Sequence, residues 1–290
     1  MDSTANARGD ALILVAAVIW GIAFYFQKTA MEDIGPLLFT GLRGAVAALV
    51  LLPLMLREAR TSSRPGGEAV PIALVGGLLF FSAGAIQQAG LVTATVINTG
   101  LLTSLYVVVT PLMFWAIERQ RPANMVWIAS LVAFAGVWSL SGGHLGRLSW
   151  GDWLVVIAVL GWSAQIVVAG RAGRFGRPVT YTFTQFCVVG VLGLASALAF
   201  EAFSLDDVVR AFDAILYVGV LSTAITFTLM AVALQRTPAP RATILLSTEV
   251  VFSSAAGYFL LGERLPLMGW MGALLIIAAV LLVRVNDASA

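Results

Sequence analysis

Trp20 and Trp162 each stand about ten residues into a long apolar stretch, and each is followed on the same helical face by groups that bind rather than react. Phe24 and Gln27 follow Trp20 at i+4 and i+7, and Gln165 follows Trp162 at i+3, spacings that put side chains on one side of a helix. An aromatic plane there offers dispersion and stacking worth about 0.5–1.5 kcal/mol beyond burial. The amide beside it supplies a donor and an acceptor. A polar row, Thr95, Thr99, Thr103, Tyr106 and Thr110, recurs at steps of three or four with Asn98 beside it. Ser222, Thr223, Thr226 and Phe227 occupy a later stretch, and Thr243, Ser247, Thr248 and Ser254 the next. Hydroxyls in membrane helices commonly bond their own backbone or a neighbouring helix; their concentration in three stretches favours a wet pathway for the set.

Two charges belong to the same inventory. Glu249 is the only carboxylate well inside an apolar stretch, where a charge costs about 2.5–3.5 kcal/mol on insertion scales, so it is expected to face a cavity, meet a partner or be protonated. Three roles are open to it: a hydrogen bond across to the stretch holding Tyr106, substrate binding, or proton coupling. Arg43, seven residues past Pro36, is expected to snorkel or to bond helix ends, and Lys28 to do the same.

Catalysis is disfavoured by what is missing. The sole histidine, His144, lies in a Gly-rich connection without an apparent partner, and no Ser-His arrangement, paired carboxylates or phosphate-cradling Gly loop falls inside an apolar stretch. One cysteine, Cys187, excludes an internal disulfide and a Cys-based metal cluster. No cofactor and no metal is expected. A channel remains an alternative, because a polar lining alone does not separate a pore from a carrier.

The elements that hold these residues are membrane helices. The chain is 60% hydrophobic and 11% charged, with a mean hydropathy of +0.95, whereas a soluble domain carries about 25% charged residues. Ten apolar segments lie near 11–30, 36–56, 70–91, 94–117, 123–141, 152–170, 179–202, 212–234, 240–261 and 265–284. Each approaches the roughly 20 residues an α-helix needs to cross the hydrocarbon core. Period-two alternation is lacking, so strands are not expected.

Gly9-Asp10, Leu12, Ala16 and Trp20 recur in register as Gly151-Asp152, Leu154, Ala158 and Trp162, the signature of a duplication. The expected fold is all-α and integral to the membrane: ten transmembrane helices in two five-helix repeats, residues 1–141 and 142–290, around a central cavity. Twelve of the basic residues fall on the side shared by both termini and five on the other, which puts the termini in the cytoplasm by the positive-inside rule. Five helices per half is an odd number, so the second repeat enters from the opposite face and the repeats are inverted. Six other tryptophans, Trp115, Trp127, Trp138, Trp150, Trp153 and Trp270, lie toward segment ends as an aromatic belt would.

Ile19-Trp20-Gly21 with Lys28 and Pro36 downstream, then Phe39-Thr40-Gly41-Leu42-Arg43, resembles the first helices of the drug/metabolite transporter superfamily, EamA branch. Thr110-Pro111 through Glu118-Arg119 and Ser247-Thr248-Glu249-Val250 through Gly262-Glu263-Arg264 resemble its paired closing motifs. The resemblance spans nearly the whole chain. It implies ten helices in two inverted repeats, a cavity lined mainly by helices 1, 3, 4, 6, 8 and 9, and efflux by alternating access; within the superfamily the chain is similar to bacterial exporters of aromatic amino acids. Val250 stands where many relatives place Pro, which implies that a kink there is missing.

Phosphorylated cargo would need several cations in the cavity, and the second half has no intramembrane Lys or Arg. A quaternary-cation pump would resemble one with an acidic residue in the first helix, and none is there. The expected activity is secondary export of small amphipathic metabolites, aromatic and other neutral amino acids above all; the alternatives are a drug or metabolite exporter of unrelated cargo and a channel-like facilitator. Trp20, Phe24, Tyr106, Trp162 and Phe227 are expected to contact the apolar part of the solute, and Asn98, Thr99, Thr103, Gln165 and Thr223 its polar groups. The expected partners are that solute and membrane lipid, with no nucleic acid and a monomer sufficient, and the expected location is a bacterial inner membrane.

Overall fold

A computed structural model describes residues 3–62, 67–140, 148–264 and 267–288, and it is all-helical among them. His144, Arg64 and Arg147 lie outside the described residues. The helices are α1 (Ser3–Ala30), α2 (Pro36–Thr61), α3 (Val70–Leu91), α4 (Val96–Thr103), α5 (Tyr106–Glu118), α6 (Asn124–Leu140), α7 (Trp150–Ala172), α8 (Pro178–Phe200), α9 (Leu205–Arg210), α10 (Phe212–Leu216), α11 (Thr226–Ala233), α12 (Ala239–Leu246), α13 (Glu249–Leu261) and α14 (Leu267–Ala288). Tyr217–Ile225, between α10 and α11, is wound as a π-helix. Eight helical stretches are long and apolar enough to cross a membrane, with α4–α5, α10–α11 and α12–α13 each running as one. Helices α6 and α14 add two shorter apolar stretches, Asn124–Gly136 and Leu267–Leu282.

Large apolar side chains face outward, with Leu198 76% and Phe259 74% exposed. In lipid this costs nothing, while the backbone groups of a helix interior are satisfied within their own segment. Trp115, Trp138, Trp150, Trp153 and Trp270 are exposed as well, on the perimeter rather than in the interior.

Helices α2 and α8 cross at close range. Each begins with Pro at its first position, where the missing N–H costs no hydrogen bond. A Cβ on Gly41 would lie 2.5 Å from the Leu194 nitrogen, and one on Gly193 would lie 2.4 Å from the Gly41 Cα, so backbone meets backbone there. The two helices also cap each other. Glu58, near the end of α2, accepts from the Val179 and Thr180 amides at the start of α8 (3.2 and 2.7 Å). Glu201, just past α8, accepts from the Leu37 and Leu38 amides at the start of α2 (2.8 Å each). Carboxylates at helix N-termini complement the macrodipole and satisfy orphan donors. End meeting start at both ends means that α2 and α8 run antiparallel.

Two long helices are interrupted at matching places. Ser104-Leu105 divides α4 from α5, and Ser247-Thr248 divides α12 from α13. Both breaks are tightened turns: Val107 donates to the Ser104 carbonyl (3.0 Å), and Val250 to that of Ser247 (3.2 Å). The break near Val250 therefore exists without the proline whose absence implied a straight helix. Hydroxyls explain it, because Ser104 Oγ donates to the Gly100 carbonyl, Ser247 Oγ to that of Ile244 (2.6 Å) and Thr248 Oγ1 to that of Leu245 (2.8 Å). Side chains that compete for backbone acceptors bend or interrupt a helix.

Candidate functional site

One cavity lies inside the helices, with about 480 Å³ of empty space, part of it open outward. Its wall takes Trp20, Phe24 and Gln27 from α1, Arg43 from α2, Gln87 from α3, Thr103 and Tyr106 from the α4–α5 break, Trp162, Gln165 and Ile166 from α7, Ser222 from the π-helix, Phe227 from α11 and Glu249 from α13. Seven residues picked from the sequence as solute contacts thus meet here: Trp20, Phe24, Thr103, Tyr106, Trp162, Gln165 and Phe227. Asn98, Thr99 and Thr223 are not on the wall. Asn98 Nδ2 donates to Asp152 Oδ1 (3.3 Å) and Thr99 Oγ1 to the Thr95 carbonyl (2.8 Å), both at the entry to α4. Thr223 stands behind Arg43 and accepts from its Nε (3.0 Å).

The aromatic side is a cluster of rings. Phe227 lies 4.8 Å from Trp20, 4.9 Å from Phe80 and 5.4 Å from Phe186, centroid to centroid, and Phe80 meets Trp162 edge-on at 4.9 Å. These are distances at which aromatic pairs attract. Phe80 and Phe186 were missed in the sequence because nothing distinguishes a cluster phenylalanine from a lipid-facing one. Trp20 Nε1 is tied to the Ser222 carbonyl at 2.8 Å. Trp162 Nε1, Gln165 Oε1 and Ser222 Oγ have no hydrogen-bond partner in the protein, although each residue is buried. A buried polar atom left open costs about 1–3 kcal/mol, so these three atoms carry unmet hydrogen-bonding capacity at the cavity wall.

The polar side corrects one expectation. Arg43 neither snorkels nor bonds a helix end: it is 5% exposed, donates from Nε to Thr223 and from Nη1 to Gln27 Oε1 (3.2 Å), and lies 5.4 Å from the Phe80 ring centre. Those acceptors on neighbouring helices hold it inward. Lys28 behaves as expected, with Nζ donating to the Leu91, Val92 and Ala94 carbonyls at the end of α3. Glu249 is 2% exposed and accepts from the Tyr106 hydroxyl at 2.8 Å, which is the bond across to the polar row that the sequence allowed. Gln87, whose Nε2 donates to Thr103 (2.6 Å), was legible as one of two adjacent amides in an apolar stretch and was passed over.

Outside the cavity, the repeated Gly-Asp pairs do different work. Asp152 closes a capping box with Ser149 at the start of α7, whereas Asp10 lies within α1 and pairs with Arg241 of α12 (2.6 Å). The two Glu-Arg boundary motifs also diverge. Glu118 pairs with Arg171, while Glu263 accepts from the Val96 and Ile97 amides (2.9 Å each) and caps α4. Among the described residues no cluster of His, Cys, Asp and Glu is arranged to hold a metal ion.

Comparison with known proteins gives the family. The model of the EamA-like transporter family matches residues 7–142 and again residues 149–285. An uncharacterized transporter of Archaeoglobus fulgidus is 28% identical over 96% of this chain and 86% of its own length. The uncharacterized transporter YwfM of Bacillus subtilis is 26% identical over 93% and 92%, and the uncharacterized inner membrane transporter YedA of Escherichia coli is 24% identical over 93% and 88%. A crystal structure with 18% identity superposes with a TM-score of 0.75 over 98% of this chain and 97% of its own, a likeness of fold. The chain therefore belongs to the EamA-like transporter family and is a multi-pass membrane transporter carrying two copies of that family's unit.

Proposed function

We propose that this transporter exports small amphipathic metabolites, aromatic and other neutral amino acids foremost, by alternating access between two inverted five-helix halves, residues 1–141 and 142–290. The observation that carries the reading is the lining of the cavity, which joins a ring cluster to buried polar atoms that have no protein partner, the mostly apolar wall with a few polar groups that small-molecule sites present. Trp20, Phe24, Tyr106, Trp162 and Phe227 receive the apolar side chain, and Thr103 and Gln165 its polar groups. Thr223 acts through Arg43, and Asn98 and Thr99 act by fixing the start of α4.

Inversion is supported by the antiparallel α2–α8 pair with its reciprocal caps and by the Tyr106–Glu249 bond, which joins the first residues after the two matching helix breaks. Ten crossings follow if α6 and α14 also span. The excess of basic residues on the side of the termini supports a cytoplasmic location for both. The motif resemblance to the aromatic amino-acid exporter YddG and the description of YedA as an inner membrane transporter support the substrate class and a bacterial inner membrane.

The test is uptake into proteoliposomes of Phe, Trp, Thr, Met and a sugar phosphate, with and without a proton gradient. Saturable uptake with counterflow, strongest for Trp and Phe, is expected. Preference for the sugar phosphate would overturn the substrate class, and flux proportional to concentration without counterflow would overturn the carrier.

A further inference from the structure

The cavity holds one guanidinium, Arg43, and one carboxylate, Glu249, which accepts from Tyr106 and is not ion-paired with the guanidinium. Arg43 is buried, and among the described residues no carboxylate lies within ion-pair distance of it. Its two hydrogen bonds go to neutral acceptors, Thr223 Oγ1 and Gln27 Oε1. Five N–H groups belong to a guanidinium, so three remain, on the two terminal nitrogens. An isolated buried charge is expensive, and the guanidinium fork is matched to a carboxylate.

The second half of the chain shows what this position needs for folding alone. Arg43 is seven residues past Pro36, the first residue of α2, and Gln185 is seven residues past Pro178, the first residue of α8. There a neutral amide suffices: Gln185 Oε1 accepts from Gln165 Nε2 at 3.0 Å. The same place in the antiparallel partner helix is thus filled without charge, so the cation at Arg43 is not a requirement of the crossing.

Position completes the argument. The guanidinium sits 5.4 Å from the Phe80 ring, and Phe80 contacts both Trp162 and Phe227. A solute whose ring lies against that cluster has an anionic end within reach of Arg43. We propose that Arg43 binds the carboxylate of the transported solute, so that the substrates are carboxylate-bearing aromatic compounds and not the corresponding amides, amines or neutral rings. Thr223 and Gln27 are positioning residues that fix the fork. The inference rests on the cavity being the transport site, as proposed above.

The test is counterflow of labelled L-tryptophan in proteoliposomes, competed by L-tryptophanamide, tryptamine, indole-3-propionate and indole. Indole-3-propionate keeps the carboxylate and is expected to compete; the amide, the amine and indole are expected to be weaker than tryptophan by about ten-fold or more, the usual worth of a charge-assisted hydrogen bond. Arg43→Gln, which installs the residue the other half tolerates, should raise the half-saturating tryptophan concentration by a similar factor and erase the preference over the amide. Arg43→Lys should restore part of it. The inference is overturned if tryptophanamide competes as well as tryptophan in the unaltered protein, a comparison that needs no variant, or if folded Arg43→Gln keeps the preference. Absence of counterflow for every aromatic amino acid would instead strike down the transport reading, and the carboxylate site with it.

Discussion

Helix α3 and the Phe212–Ala233 helix are each the third long helix of their family unit, yet only the second contains a π-helical stretch. α3 is regular from Val70 to Leu91, while Tyr217–Ile225 is wound more widely. Wide turns of this kind recur at functional sites. Here the stretch carries the Ser222 carbonyl to Trp20 Nε1 and Thr223 Oγ1 to Arg43 Nε. The same contrast repeats elsewhere, with Arg43 opposite Gln185, Glu249 opposite Tyr106, and Trp20 anchored where Trp162 keeps an open N–H. Duplication supplies the frame, and the departures from it supply the chemistry.

The comparison can be broken first at the frame. Gly41→Leu drives a side chain into the α8 backbone, an overpacking of about 3 kcal/mol or more, and should abolish recovery of monodisperse protein. Gly84→Ala, whose nearest contact would be a Phe80 ring carbon at 3.4 Å, should leave the thermal midpoint within a degree or two of the original or raise it. Next come the divergent Gly-Asp pairs. Asp10→Asn withdraws one charge from a buried ion pair and should cost about 3 kcal/mol; Asp152→Asn weakens a helix cap and should cost about 1 kcal/mol. Equal losses in detergent melting curves would mean that the two copies still share a role. The smallest stability effects belong to the tryptophans. Trp20→Phe removes a hydrogen bond to a backbone carbonyl and should lose about 1 kcal/mol. Trp162→Phe trims the same ring but removes an N–H that bonds nothing in the protein, so it should shift the melting curve less than Trp20→Phe while altering the order of preferred solutes in uptake.

Spans were legible because their signal is repeated over some twenty residues: the predicted 70–91 and the observed Val70–Leu91 coincide, and 36–56 falls short of Pro36–Thr61 only where the charged Arg57, Glu58 and Arg60 extend the helix beyond the apolar run. The cavity was legible where aromatic and polar residues stood at helical spacing in two apolar stretches. It was not legible at Arg43, because burial there is set by Thr223, 180 residues away. Asn98 lies off the cavity wall for a related reason. It shares a sequence neighbourhood with the polar row, but its amide is drawn to Asp152 at the edge of the bundle. The π-helix left no mark in the sequence, since the apolar residues of that stretch suit either winding.

The claim on which the rest depends is that solute occupies the space between α1, α7, α11 and α13. Cys187 is the only cysteine, so Cys187→Ser provides a background in which Ile166→Cys puts a single thiol on the cavity wall. The account predicts that saturating tryptophan slows labelling of that thiol by a membrane-permeant maleimide several-fold, and that it leaves a thiol introduced at exposed Leu198 unaffected. Equal labelling of the Ile166→Cys protein with and without tryptophan, while tryptophan transport persists, would contradict it.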